Sequence, residues 1–151
     1  AMPAHDPIPP EQMDSVHELL DDPDRLREVE SLLLGEIEKS GYSEASAFAI
    51  RLAYEEAVHK AMSQGHRDMP RTPVIVRWHV TSERVTIRIE DRGPGFDAED
   101  LPDPTAPERL DRPHGRGVML MRAYMTRVSF NESGNVVTLE YDRSDDASDN
   151  G

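Results

Sequence analysis

The sequence predicts an α+β fold, a two-layer sandwich with a mixed, mostly antiparallel sheet and its helices on one face. Three observations predict it. Residues 74–80 and 85–89 alternate apolar and polar side chains across a short turn, the pattern of a hairpin with one buried face. Residues 26–37 and 43–65 repeat apolar side chains at helical spacing. Two glycine clusters, Asp91-Arg92-Gly93-Pro94-Gly95-Phe96-Asp97 and His114-Gly115-Arg116-Gly117, break the periodic segments and flank a stretch rich in proline and aspartate.

The elements follow in order. Residues 1–14 carry Pro3, Pro7, Pro9 and Pro10 and read as an extended, flexible tail. Ser15 to Leu20 reads as an edge strand. Asp22-Pro23 starts a helix, proline being tolerated in the first turn. Leu26, Val29, Leu33 and Ile37 line one face of it up to Gly41, a natural stop. Ser43 and Ser46 open a second helix through Phe48, Leu52, Ala57, Val58 and Ala61 to about Gly65. Its alanines imply close approach to a neighbour. Val74, Val76, Trp78 and Val80 form one strand face, Thr81 to Arg84 the turn, and Val85, Ile87 and Ile89 the next strand, ending at Asp91. Gly117 to Met125 reads as a third helix with Val118, Met121 and Met125 on one face. Val128 and Phe130, then Val136, Thr138 and Tyr141, form a last hairpin around residues 132–135. Residues 143–151 read as a disordered acidic tail, leaving 15–142 as one folded domain. Helices segregated on one sheet face are the simplest packing of this order.

Composition narrows the function. The formal charge of −13 on 151 residues argues against non-specific nucleic-acid binding. It fits a basic partner, or simply solubility. Cysteine is absent, so disulfides, thiolate metal sites and cysteine nucleophiles are excluded. With no membrane-length apolar run and no signal peptide visible, the expectation is a cytoplasmic protein without membrane contact.

Three constellations carry chemistry. Gly93 and Gly95 flank Pro94 just past a strand end, where missing Cβ atoms let a flat ligand lie on the backbone. Asp91 stands there as an acceptor for an exocyclic amine such as that of adenine. The plain alternative is an ordinary Gly-Pro-Gly turn. Gly115-Arg116-Gly117 opens a helix, where free N–H groups favour phosphate and Arg116 adds charge. Glycine before a helix is also common without any ligand. Glu56 and Lys60 lie one helical turn apart, either as a base and a phosphate-facing group or as an i,i+4 ion pair. The six histidines form no metal motif.

Taken together, Glu56-x-x-x-Lys60, Asp91-x-Gly93-x-Gly95 and Gly115-x-Gly117 resemble the Bergerat-type GHKL ATPase domain. The likeness is strongest to the RsbW-like anti-sigma factor serine/threonine kinases and spans about residues 15–142. Supporting runs are residues 50–57, 90–97, 101–104 and 112–122. The resemblance implies a sandwich that binds ATP under a lid at 98–114. It makes Glu56 the general base acting on a partner serine. Asp91 would hold the adenine amine, and Gly93 and Gly95 would line the base. Gly115, Arg116 and Gly117 would hold the phosphates, and Thr138 would assist the adenine aspartate. The implied partners are a sigma factor and a STAS-domain antagonist, with a homodimer possible.

Lys60 departs from that pattern. The family normally has asparagine there, whose amide oxygen ligates Mg2+. A lysine ammonium has three donors and no lone pair, so it cannot coordinate a cation. Either Lys60 neutralises the triphosphate itself, or it pairs with Glu56, quenches the base and leaves a pseudokinase that acts by binding. A charge partner would lower the carboxylate's pKa and weaken its drive to take a proton. Phosphoryl transfer leans on metal neutralisation of charge, so slow or absent catalysis is expected. A histidine-kinase catalytic domain ranks last, because no helix pair bearing a phospho-acceptor histidine accompanies the domain.

Overall fold

The computed structural model describes residues 8–68, 73–91 and 113–146, with the side chains of 64–68 and 113–116 left aside. Strand β1 (Ser15–Leu19) leads to helices α1 (Pro23–Lys39) and α2 (Glu44–Asp68). Strands β2 (Val74–Val80) and β3 (Arg84–Glu90) follow, then α3 (Pro113–Tyr124), β4 (Arg127–Phe130) and β5 (Val136–Asp142). The sheet order is β1-β2-β3-β5-β4, and every pair is antiparallel rather than mixed. The excursion through α3 lets β5 enter beside β3 and leaves β4 as an edge.

Local chemistry sets the helix ends. The Asp22 carboxylate accepts from the Asp24 N–H at 3.0 Å, capping α1, with Pro23 in the first turn. Gly41 ends α1 at φ +87°, a region where a Cβ is costly. Ser43 Oγ accepts from the Ser46 N–H at 3.0 Å at the start of α2. Val29, Leu33 and Ile37 of α1 are buried, as their spacing predicts. They meet Val76, Trp78, Ile87, Ile89 and Leu139 from the sheet in one core. The Trp78 indole N–H donates to Glu36 at 2.5 Å, fixing α1 over β2.

Four expectations need correction. Helix α2 runs on to Asp68, because one glycine weakens a helix by about 1 kcal/mol without ending it. Its core face is Ile50, Ala53, Tyr54, Ala57, Val58 and Ala61, while Phe48 is 55% exposed. Helix α3 begins at Pro113, four residues before Gly117, since proline suits a first turn. Residues 113 and 114 therefore belong to α3 and not to the lid. On β5, Val137, Leu139 and Tyr141 share a strand parity and join the core; Val136 and Thr138 point to the other face.

The domain boundaries also move. At the N-terminus Pro10–Gln12 form a 3-10 turn and Met13 is buried. Pro10 and Met13, with Arg88 and Thr138, line a groove on the sheet face opposite the helices. At the C-terminus Arg143–Asp145 form a further 3-10 turn. Buried Asp146 then accepts from the Ser43 N–H at 3.0 Å and from Ser46 Oγ at 2.6 Å. The predicted tail at 143 is thus a latch through 146. Residues 1–7 and 147–151 lie outside the described residues.

Candidate functional site

The candidate site lies where α2 crosses the ends of β3 and β5. Ala57 and Ala61 are small and buried, so the middle of α2 sits low over the sheet. Asp91 follows the last residue of β3 and keeps the core-facing parity of Ile87 and Ile89. Its N–H donates to the Asn135 carbonyl at 2.9 Å, tying it to the turn before β5. That turn holds Gly134 at φ +73°. Asp91 is only 4% exposed.

Lys60 is the second buried charge, at 6% exposure. It shares with Asp91 a cavity of about 10 Å³, bounded by Ala57, Ile89, Phe130 and Asn135. Its ammonium lies 5.7 Å from the Phe130 ring centroid, within range of a cation–π attraction. Burial pushes the Lys60 pKa down to about 8, and the Asp91 charge pulls it partly back. Lys60 is therefore mostly a cation near neutral pH, facing the carboxylate that the sequence assigns to adenine.

Glu56 stands one turn earlier and meets α3 instead. A Cβ on Gly117 would come within 3.2 Å of a Glu56 carboxylate oxygen. Glycine at 117 thus makes room for the carboxylate beside the first turn of α3. Gly115 and Arg116 lie in that first turn, whose backbone N–H groups lack helical acceptors. The fold thus brings together Glu56, Lys60, Asp91 and Gly117, with Gly115 and Arg116 at the adjoining helix end.

The family model of the histidine kinase-like ATPase domain matches residues 19–141. The chain belongs to this family. The serine-protein kinase RsbW of Oceanobacillus iheyensis is 26% identical over 113 residues, which are 71% of this chain and 72% of that protein.

Within this histidine kinase-like ATPase domain, not every expected residue joins the site. Gly93, Gly95 and most of the lid, 98–112, lie outside the described residues, and the side chain of Arg116 is not described. Thr138 is a correction. It pairs with Arg88 and Ser129 and faces away from α2. It cannot assist Asp91; Val137, of the opposite parity, lines the Asp91 cavity. Asn135 and Phe130 were missed, because the β3–β5 pairing that brings them to Asp91 is long-range in sequence.

The donor set tests two absent groups. Mg2+ does not fit at position 60, where a buried ammonium offers no lone pair. Among the described residues no group of His, Asp and Glu could hold a metal ion. ATP binding is what the ATPase family implies, and Lys60 shares the small cavity beside Asp91. The first turn of α3 does suit phosphate. No helix among the described residues is long and apolar enough to cross a membrane.

Proposed function

We propose that this chain is a regulator of the anti-sigma kinase type that works by protein binding. Lys60 holds down both nucleotide binding and metal-dependent phosphoryl transfer. One observation carries the reading: Lys60 is buried against Asp91, at the position where the resembled family keeps its metal-ligating asparagine. The nucleotide carboxylate then has a cation to satisfy it in place of an adenine amine. The partners would be a sigma factor or a STAS-domain antagonist, as the resemblance implies, and the −13 charge favours a basic surface on them.

This differs from a lysine that quenches the base. The Glu56 carboxylate lies beside Gly117, which supports reading it as an available base. That placement favours a second reading, a slow working kinase acting on a partner serine. A transfer assay with labelled ATP and purified STAS-domain antagonist separates the two. The pseudokinase reading expects no phosphoserine from the unmodified chain and measurable transfer from Lys60→Asn with Mg2+. Robust transfer by the unmodified chain overturns it.

A further inference from the structure

The sheet face turned away from the helices carries a row of side chains that the nucleotide site does not use. Strand register sets the row. Arg77 of β2 stands opposite Arg88 of β3, Arg88 opposite Thr138 of β5, and Thr138 opposite Ser129 of β4. Arg77, Arg88 and Thr138 have the parity opposite to Trp78, Ile87 and Leu139, which lie in the core. Across the strands the row reads guanidinium, guanidinium, hydroxyl, hydroxyl. It supplies hydrogen-bond donors and no carboxylate.

The neighbouring arginines of this face are satisfied. Arg127 donates to Glu140 at 3.1 Å and to Asp142 at 2.6 Å, and Arg84 donates to Asp142 at 2.7 Å. The Arg77–Arg88 row is short of acceptors instead. Among the described residues Arg88 makes one ion pair, to Glu90 at 3.7 Å, too long for a hydrogen bond, and Arg77 makes none. Arg77 Nε is buried with no hydrogen-bond partner among them. The Ser129 and Thr138 hydroxyls make no hydrogen bond to the described residues either. Like charges directly opposite on paired strands are destabilising, and a guanidinium cannot shed its proton to relieve them. An anion relieves them.

A groove of about 340 Å³ opens over the Arg88 end of the row. That volume lies in the range of small-molecule sites, roughly 300–1,000 Å³. Arg88, Ser129 and Thr138 bring its polar groups, and Ile8, Pro9, Pro10, Met13 and Val136 give it apolar walls. Arg77 does not line it and acts on it through charge alone.

We propose that this groove binds a small organic monocarboxylate on an apolar stem. The planar carboxylate takes the Arg88 guanidinium fork, with the Thr138 and Ser129 hydroxyls as further donors. The stem lies between Val136 and the Ile8–Met13 segment. A single carboxylate suits the site better than a phosphate, because the net charge of −13 repels a multiply charged ligand more. The apolar walls also favour a ligand with a hydrocarbon body over a bare oxyanion.

Calorimetry of the full chain with 3-phenylpropionate tests this, with 3-phenylpropanol as the neutral control and inorganic phosphate as the oxyanion without a stem. The carboxylate is expected to bind about tenfold or more tighter than the alcohol, the equivalent of one charge-assisted hydrogen bond, and tighter than phosphate. On isotope-labelled chain it should shift the Arg88 Nε–H resonance, which the alcohol should leave in place. Arg88→Gln should remove the preference for carboxylate and leave alcohol binding unchanged. Arg77→Gln should keep or raise the melting temperature of the free protein, since it removes a like-charge pair, yet weaken the carboxylate about threefold. A merely structural arginine would not give that crossing. The proposal is overturned by no carboxylate binding at millimolar concentration, by equal affinity for carboxylate and alcohol, by phosphate binding as tightly as the carboxylate, or by an Arg88→Gln variant that binds the carboxylate as before. Lys60, Asp91 and Glu56 lie on the other side of the sheet and take no part, so the outcome is independent of the nucleotide site.

Discussion

Glu56 and Lys60 share a helix and sit one turn apart, yet they meet different elements. Spacing alone suggests that they pair with each other. In the fold, α2 lies low over the sheet on Ala57 and Ala61, so the long Lys60 stem reaches Asp91 while the shorter Glu56 turns to Gly117. Gly117 gives a test of this placement. Gly117→Ala gains helix propensity of up to about 1 kcal/mol. The new Cβ at 3.2 Å only asks a flexible carboxylate to swing aside. Thermal melts should show unchanged or slightly higher stability. Any phosphoryl transfer by a Lys60→Asn background should fall, because the base has been displaced. A loss of stability above about 1 kcal/mol would mean the α2–α3 contact is rigid there. Asp91 was legible as a strand-end acceptor because apolar alternation stops at it. Its lysine partner was not, because the reach of a side chain across a helix–sheet gap depends on which neighbours are small. Thr138 was assigned by the resemblance alone, and its strand parity turns it to the sheet face opposite Asp91.

Among the elements, the strands and the first two helices were readable because their periods are clean and their caps explicit. The start of α3 was not. Glycines at 115 and 117 look like a loop, but Pro113 initiates the helix ahead of them. The end of the domain was hidden for a different reason. Residues 143–146 are polar and acidic, which reads as tail, yet Asp146 is spent on the N-terminus of α2. Arg143 stacks over Tyr42 at 4.9 Å, and its N–H donates to the Glu83 carbonyl at 2.8 Å. Asp146→Ala should strip Ser43 and Ser46 of a buried acceptor and cost about 1–3 kcal/mol in chemical denaturation. If the midpoint stays where it is in the unmodified chain, the latch contributes nothing to the fold.

For the whole molecule, the proposal makes one buried cation, Lys60, the difference between an ATP-using kinase and a binding regulator. Residues 19–141 carry the ATPase-domain pattern, so the expected ligand is set by the family, and the departure at Lys60 is set by this chain. The net charge of −13 disfavours phosphate-rich partners at long range and is compatible with a basic partner or simply with solubility. On the proposed reading, Glu56 beside Gly117 is the base, and Lys60 stands in for the metal ligand and covers Asp91. Titration calorimetry of ATP into the unmodified chain and into Lys60→Asn, each with and without Mg2+, reads this directly. The account predicts weak binding to the unmodified chain that Mg2+ does not strengthen, and binding to Lys60→Asn that is about tenfold tighter or more and Mg2+-dependent. Tight, Mg2+-dependent ATP binding by the unmodified chain would contradict it.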